Sequence, residues 1–203
     1  TLFVPTNDCL TEADVDSLTE VYNAQKSNRI KNNDNTVIKQ VLQNHMAMYN
    51  YAAIASGDSV QMMMLNGKYS YLADGGVNGV KYLSSNMLYR NGVLFTVGSR
   101  LPYFANVSEY FTMDDELDSI ASFFSRYNVY EFDASRSVPG EIVDGKTVYL
   151  DSVMNLKNVM FDELGYINRE DSAYWIVVPT DRQWRKLYEE YKTYFNYDNR
   201  TAK

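Results

Sequence analysis

One histidine and one cysteine occur in the 203 residues, so chemistry built on imidazole or thiolate has a single group of each to work with. His45 falls on the apolar side of a helical stretch. Metal binding or triad catalysis would need partners that a lone imidazole does not bring. The reading is a packed ring whose nitrogens bond neighbouring groups, with a pH-sensitive or partner-facing role as the alternative. Cys9 can form no internal disulfide and says little about redox compartment. Asp114, Asp115, Glu116 and Asp118 invite a calcium reading, but that ion takes about six or more oxygens from a loop folded around it. Here the acids open a helix, where the positive end of the dipole favours them. Met62-Met63-Met64 reads as a strand with one side chain outward rather than a thioether metal site. Gly75-Gly76-Val77-Asn78-Gly79 lacks a following helix at phosphate-loop spacing and reads as a turn. No nucleophile elbow, His-Glu-x-x-His, phosphate loop or dinucleotide fingerprint is present. No catalytic, cofactor-binding or metal-ligating residue is assigned on these grounds, and the ligand-binding residues stay unknown.

The bulk properties narrow the classes further. Apolar residues make up 45% and charged residues 22%, ordinary for a chain that buries a real core. The net charge of −7 comes without any Lys/Arg stripe, which argues against nucleic acid or anionic lipid as partner. No apolar run approaches the roughly 20 residues of a membrane span, and no signal peptide is visible. The chain starts inside a strand, so an upstream leader or anchor is an open expectation. Tyrosine is abundant, at 18 residues. Strand and core filling is the favoured account; an aromatic surface for glycan or protein is the other.

The elements that must position any site follow from periodicity and turn signals. After an opening strand, Thr11 and Asp14 form a capping pair for a helix carrying Val15, Leu18, Val21 and Tyr22. Residues 26–35 are a polar loop, and Asn35 is an N-cap for a second helix with Ile38, Leu42, His45 and Tyr49 on one stripe, Val37 and Val41 beside it. Val60, Met62 and Met64 then alternate with Gln61 and Met63. Asn66-Gly67 and Asn91-Gly92 mark hairpins, the latter opening the buried strand Val93–Val97. Residues 105–115 join two units, with Thr112 and Asp115 starting a helix that carries Leu117, Ile120, Phe123, Phe124 and Tyr127. Residues 128–140 are expected to be irregular. Asp144-Gly145 turns a third hairpin, and a short helix is expected over 155–164. The last helix places Trp184, Leu187, Tyr188, Tyr191 and Phe195 inward. The mixture is α+β, with antiparallel hairpins and no regular βαβ alternation.

The chain also says one thing twice. Leu2-Phe3-Val4-Pro5-Thr6-Asn7 and Ile176-Val177-Val178-Pro179-Thr180-Asp181 are each an apolar strand, a Pro-Thr-Asn/Asp stop and a helix. The prolines are 174 positions apart (179 minus 5), about one domain length. Pro5 and Pro179 end the strands, and Asn7 and Asp181 are placed to accept from the first helical N–H groups.

This Pro-Thr start, the helix ending at Asn44-His45, the Leu65-Asn66-Gly67-Lys68 turn and the Asn91-Gly92-Val93-Leu94-Phe95 strand running to Leu101-Pro102 resemble, in that order, a fasciclin domain. More narrowly, with Asp151-Ser152-Val153 and Glu170-Asp171-Ser172 ahead of the second start, the chain resembles tandem fasciclin lipoproteins of Gram-negative bacteria. The resemblance implies a wedge of two twisted, mostly antiparallel sheets surrounded by helices. It implies a first domain over 1–111 lacking its leading helices, and the N-terminal half of a second over 112–203. Residues 112–203 are expected to pack onto the first domain or to dimerise, since a half-domain leaves strand edges open. Departures are clear: the Tyr-His pair of animal relatives is Asn44-His45 here, an Asp-Ile pair is Asn86-Met87, and a strand His is Phe95. Receptor-binding roles therefore do not carry over.

The function so implied is non-catalytic: an extracytoplasmic adhesion or protein/matrix-binding module of a surface lipoprotein, at the bacterial outer membrane or cell surface. It would hold to the membrane only through an upstream lipid anchor, need no cofactor, and bind an extracellular protein or glycan. The alternative is a glycan-binding component of a polysaccharide-uptake system that stacks sugars on exposed tyrosines. Asn106-Val107-Ser108 and Asn199-Arg200-Thr201 fit the glycan-acceptor pattern, and in a bacterial protein both are expected to be unmodified.

Overall fold

The computed structural model describes residues 1–30, 34–51 and 57–194. The chain is α+β and divides into two units, Thr1–Phe104 and Ala105–Lys203. The join expected at 111/112 would cut Phe111 away from Leu117, Ile120, Phe161 and Ile167, the apolar cluster it packs with. That burial draws residues 105–111 into the second unit.

The first unit is built on β1 (Leu2–Pro5), β2 (Ser59–Met63), β3 (Tyr69–Ala73), β4 (Gly76–Val77), β5 (Val80–Tyr89) and β6 (Gly92–Val97). They hydrogen-bond in the order β1-β6-β5-β4-β3-β2. Successive strands from β2 to β6 are antiparallel hairpin neighbours, while β1 lies parallel to β6, Phe3 opposite Phe95. Alternation explains the core: Met62, Met64, Leu72, Val77, Val93, Phe95 and Val97 are inward members of period-2 runs and are buried with Phe3. Phe95 sits at its centre, with ring centroids 5.3 Å from Phe3 and 5.0 Å from Tyr82.

Helix α1 (Glu12–Ser27) starts as expected, with Thr11 and Asp14 in a reciprocal capping box. Asn7 is exposed and lies before this start, so Thr11 caps the helix instead. Only one side of α1 is covered: Leu18 and Tyr22 are half-buried, Val15 and Val21 exposed. Its far end is tied to the next element by Gln25, which accepts from the Thr36 amide at 2.8 Å and donates to its hydroxyl at 2.7 Å.

The second helix differs from a regular α-helix. Val37–Leu42 is wound as a π-helix and tightens to a 3-10 turn over Gln43–His45. Asn35 caps it as expected, accepting from Val37 and Ile38. The wider turn moves the inward stripe to Val37, Val41 and His45, and leaves Leu42 and Tyr49 in solvent.

That winding delivers two buried polar side chains to one place. His45 Nδ1 lies 2.7 Å from the Val41 carbonyl, and the Leu101 amide donates to Nε2 at 2.9 Å. An acceptor at Nε2 fixes the proton on Nδ1 and the ring as neutral. Asn44 Nδ2 donates to the Pro102 carbonyl at 3.0 Å, and its Oδ1 accepts from Asn66 at 3.0 Å. Asn66 also donates to the Lys39 carbonyl and accepts from the Lys68 amide.

The second unit contains α2 (Val107–Phe111), α3 (Asp118–Ser125), β7 (Asn128–Val143), β8 (Lys146–Asn158), α4 (Phe161–Leu164) and α5 (Asp181–Tyr191). Thr112, expected to start a helix, closes α2: its hydroxyl donates to the Glu109 carbonyl. The span 128–140, expected to be irregular, is β7, and the helix expected over 155–164 is limited to α4 because β8 runs to Asn158. On α5, Trp184 packs on the core, whereas Leu187, Tyr188 and Tyr191 are exposed; Phe195 lies outside the described residues. The second Pro-Thr segment forms no strand.

Burial holds the His45 pKa below its usual value, with a smaller push in the same direction from Arg100. The unfolded ring therefore takes up a proton more readily than the folded one. Stability is full above the unfolded value, about 6.5, and is lost as pH falls through it towards the folded value. Thermal unfolding followed by circular dichroism from pH 8 to pH 5 should show the first unit weakening below pH 6.5. His45→Gln should be less stable at pH 8, by about 2 kcal/mol, with a flatter profile across that window.

Candidate binding surface

The residues with chemical potential are occupied structurally. His45 is buried and bonded at both ring nitrogens. The Cys9 thiol, half-buried, donates to the Thr6 carbonyl at 3.1 Å. In the acidic group, Asp114 accepts from the Tyr110 hydroxyl and from the Glu116 amide, and Asp118 is the first residue of α3. The α3 start is capped from elsewhere: the Ser119 amide donates to Asp181 Oδ1 at 2.7 Å. So Asp181 caps α3 rather than its own helix, which Thr180 and Gln183 cap. Met62 and Met64 are buried with Met63 half-buried between them, and residues 75–79, expected to be a turn, carry the short strand β4 between two turns. Asn106 caps α2 through Oδ1, and its Nδ2 donates to Asn168 and Glu170, so the acceptor nitrogen is engaged. Asn199 lies outside the described residues.

The tyrosines fill strands and core margins: Tyr69, Tyr71, Tyr82, Tyr89, Tyr130 and Tyr149 lie in strands, and Tyr51, Tyr82 and Tyr174 pack against the cores. None of those described is fully buried, and Tyr49, Tyr71, Tyr89, Tyr110, Tyr130 and Tyr188 are among the exposed ones. The hydroxyl accounts for this: a ring at the core margin keeps its polar tip in water. Among the described residues, no pair of exposed rings is stacked face to face. Tyr191 and Tyr194 meet at 53° and Phe132 and Tyr149 at 69°. One groove of about 590 Å³ between α3 and α5 places Trp184 and Tyr188 beside Arg126, Arg185, Asp118 and Glu189.

A run of exposed apolar side chains lies on the β7–β8 ribbon. Its tip is the Asp144-Gly145 turn, with φ of 51° and 76° at the two residues, the left-handed pair that a tight hairpin needs. At the base, Tyr130 faces Leu156 across the strands and Phe132 faces Met154, so the four share one side. All four are exposed, Tyr130 at 69% and Leu156 at 57%. The opposite side carries Glu131, Asp133, Asn155 and Lys157. Lys157 is held by Asp162 at 3.1 Å and Glu131 at 3.6 Å, which raises its pKa, Asp162 acting first.

Two polar clusters hold the ribbon in shape. At its root, buried Asn158 donates to the Phe124 carbonyl and to Asn128, and accepts from the Met160 amide. Midway, β7 bulges between Asp133 and Val138. Asp133 accepts from the Ser135 hydroxyl and from Asn155, then from the Arg136 and Ser135 amides, and its pKa is lowered by these bonds in that order. Buried Ser137 donates to the Asp133 carbonyl at 2.6 Å and accepts from the Val153 amide at 2.9 Å, bridging the gap in the ladder. The sequence signal for β7 was present in Val129-Tyr130-Glu131-Phe132-Asp133, where aromatic and acidic residues alternate. The polar Ser135-Arg136-Ser137 bulge masked its continuation.

No protein-family profile matches the sequence, and no curated protein does.

Ser137→Ala leaves the Val153 amide and Asp133 carbonyl without their partner, at a cost of about 1–2 kcal/mol to the ribbon. Hydrogen exchange at Val153 should then speed up by about ten-fold, while exchange at Phe95 in the first unit stays unchanged.

Proposed function

We propose that the chain is a non-catalytic, fasciclin-type adhesion or protein-binding module, working outside the cytoplasm at a bacterial outer membrane or cell surface. The observation that carries this reading is the apolar side of the β7–β8 ribbon: Tyr130, Phe132, Met154 and Leu156 side by side in solvent. A contiguous patch of aromatic and aliphatic groups is the composition of a protein-recognition core. A two-stranded ribbon is also marginal alone and gains from a covering surface. The fasciclin-type assignment is supported by the order of elements in the first unit. There a Pro-Thr strand lies parallel to the Asn-Gly strand, and the Asn44-His45 helix end is pinned to Leu101-Pro102. The non-catalytic reading is supported by the use of the imidazole and the thiol in backbone hydrogen bonds. Among the described residues no helix is long and apolar enough to cross a membrane, and attachment would fall to a lipid anchor.

A second reading has its own observation. The α3–α5 groove sets an indole and a phenol among guanidinium and carboxylate groups, the chemistry that holds a sugar by stacking and by its hydroxyls.

A binding screen on immobilised matrix proteins and on glycans separates the two. The Tyr130→Ser/Leu156→Ser double variant should reduce capture by a protein ligand at least ten-fold with little change in melting temperature, because both side chains are already exposed. Capture by glycans, lost in Tyr188→Ala and intact in the ribbon variant, would transfer the function to the groove. Binding to neither class would sink both readings.

A further inference from the structure

An asparagine followed by glycine can react with its own main chain, because glycine sets no Cβ in the path of the attacking nitrogen. The chain has three such pairs, Asn66-Gly67, Asn78-Gly79 and Asn91-Gly92. The structure treats them differently.

The first two are spent on the fold. Asn66 donates to the Lys39 carbonyl and to Asn44 Oδ1, and it accepts from the Lys68 amide. The Gly67 amide, the nitrogen that would attack, donates to the Met64 carbonyl at 3.0 Å. Asn78 sits at a φ of 49°, accepts from the Tyr71 amide at 2.8 Å and donates to Ser70 Oγ at 2.9 Å. In both, the carboxamide turns towards the next nitrogen only by breaking bonds at its oxygen and at its nitrogen.

Asn91 has no such hold. It is exposed, and among the described residues no hydrogen bond engages its side chain. It is the second residue of the loop Arg90-Asn91, which the Tyr89–Gly92 pair closes. A hairpin loop of that length favours positive φ at both residues, to match the twist of its strands. Neither Arg90 nor Asn91 has it. The ladder behind the loop is short. β5 slips register between Ser84 and Met87, and the pairs Met87–Leu94, Leu88–Val93 and Tyr89–Gly92 separate that slip from the turn. Leu88 and Tyr89 are exposed, so little apolar burial holds this end shut. A hairpin end of this kind opens locally while the core stays folded.

We propose that Asn91 is a self-modification site, at which the Gly92 amide nitrogen closes a cyclic imide on the Asn91 carboxamide and water then opens it to aspartate or isoaspartate. In the first step the bond from the Gly92 nitrogen to Asn91 Cγ forms and the Cγ–Nδ2 bond breaks. Nδ2 leaves as ammonia, taking the proton shed by the Gly92 nitrogen. In the second step water adds across one of the two carbonyl C–N bonds of the ring. Opening at Cγ restores the ordinary main chain with an aspartate side chain. Opening at the Asn91 carbonyl carbon routes the main chain through the side chain and lengthens it by one carbon. Either product adds one negative charge. The isoaspartate form also inserts an atom at the head of β6, the strand that joins β1 to the sheet and carries Phe95. The reaction is therefore a clock set at a strand on which the first unit's core depends. It is independent of the ribbon and of the adhesive reading.

The test ages the whole chain at pH 8 and maps it with trypsin. Cleavage after Lys39, Lys68, Lys81, Arg90 and Arg100 puts the three pairs in separate peptides, 40–68, 69–81 and 91–100. Peptide 91–100 should acquire the mass gain of amide-to-acid conversion about ten-fold faster than the other two, in two chromatographic forms of equal mass. In denaturant the three should convert at comparable rates, because the folded contacts no longer tell them apart. Gly92→Ala sets a Cβ beside the attacking nitrogen. That Cβ meets Asn50 Oδ1 at 3.7 Å, an ordinary contact, so the variant folds, and conversion at position 91 should slow severalfold. Equal rates at the three sites in the folded chain overturn the proposal, as does conversion led by 40–68 or 69–81. So does a folded 91–100 segment that stays unconverted while the denatured chain converts, or a rate there that Gly92→Ala leaves unchanged.

Discussion

Asn44 and His45 are where three distant stretches of the first unit are fastened together. The helix end at 43–45, the 64–68 turn and the strand exit at 101–102 converge on two side chains through bonds of 2.9–3.0 Å. A buried donor or acceptor left unmatched costs about 1–3 kcal/mol, so these bonds form together or the region does not close. The π-helical winding is the local concession that makes this possible. A regular 3.6-residue turn would set positions 38, 42, 45 and 49 on one stripe. The wider turn brings 37, 41 and 45 inward, aims the imidazole at the Leu101 amide, and leaves Leu42 in water. Once Leu101 is fixed, the chain leaving β6 is fixed. β6 in turn carries Phe95, around which Phe3 and Tyr82 pack.

How much of this the sequence declared depends on the range of the interaction. Local devices were legible: the Thr11–Asp14 box, the Asn35 cap, the alternation through Met62 and Met64, and the Asp144-Gly145 turn each depend on neighbours within a few residues. Non-local ones were not. His45 reads as a packed histidine, but nothing in its neighbourhood points to Leu101, 56 residues away. Asp181 reads as a cap for its own helix, and the structure gives it to Ser119, 62 residues away. The ribbon was the main loss. Its middle is a polar bulge that breaks the period of 2, and the Asp133 and Ser137 bonds that compensate come from the partner strand and from the loop itself. The tyrosines were legible as strand and core-packing residues, but composition reports how many amphipathic rings must be placed, and not whether the core or its margin receives them.

The two Pro-Thr segments show how far context decides the fate of one short sequence. Both carry the same apolar–Pro-Thr signal. The first becomes a strand because β6 and the 46–47 bridge satisfy its main chain on two sides. The second keeps its inner packing through Tyr174 and Val178, and among the described residues no backbone hydrogen bond holds it in a ladder. Strand propensity is no lower in the second copy, Ile-Val-Val against Leu-Phe-Val. The partner strand is the variable, in keeping with β-structure as a property of pairs more than of single segments.

The ribbon and the second Pro-Thr segment are both uncovered, yet they are exposed in different senses. The ribbon is guarded against edge pairing. Pro139 removes a donor from β7, the Asp133–Val138 bulge breaks its line, and Lys146, Asp151 and Lys157 place charges along β8. These are the devices by which natural sheets turn away stray strands. What the ribbon offers is therefore its side, where Tyr130, Phe132, Met154 and Leu156 form a patch that a partner covers without adding a strand. Tyr174-Trp175-Ile176-Val177-Val178 has no such guard: no charge, no glycine and no proline interrupt it. An unguarded apolar edge is a liability in any free state. The two features therefore differ in chemistry: the ribbon carries devices that turn strands away and offers its side chains, whereas the apolar segment carries none within its five residues.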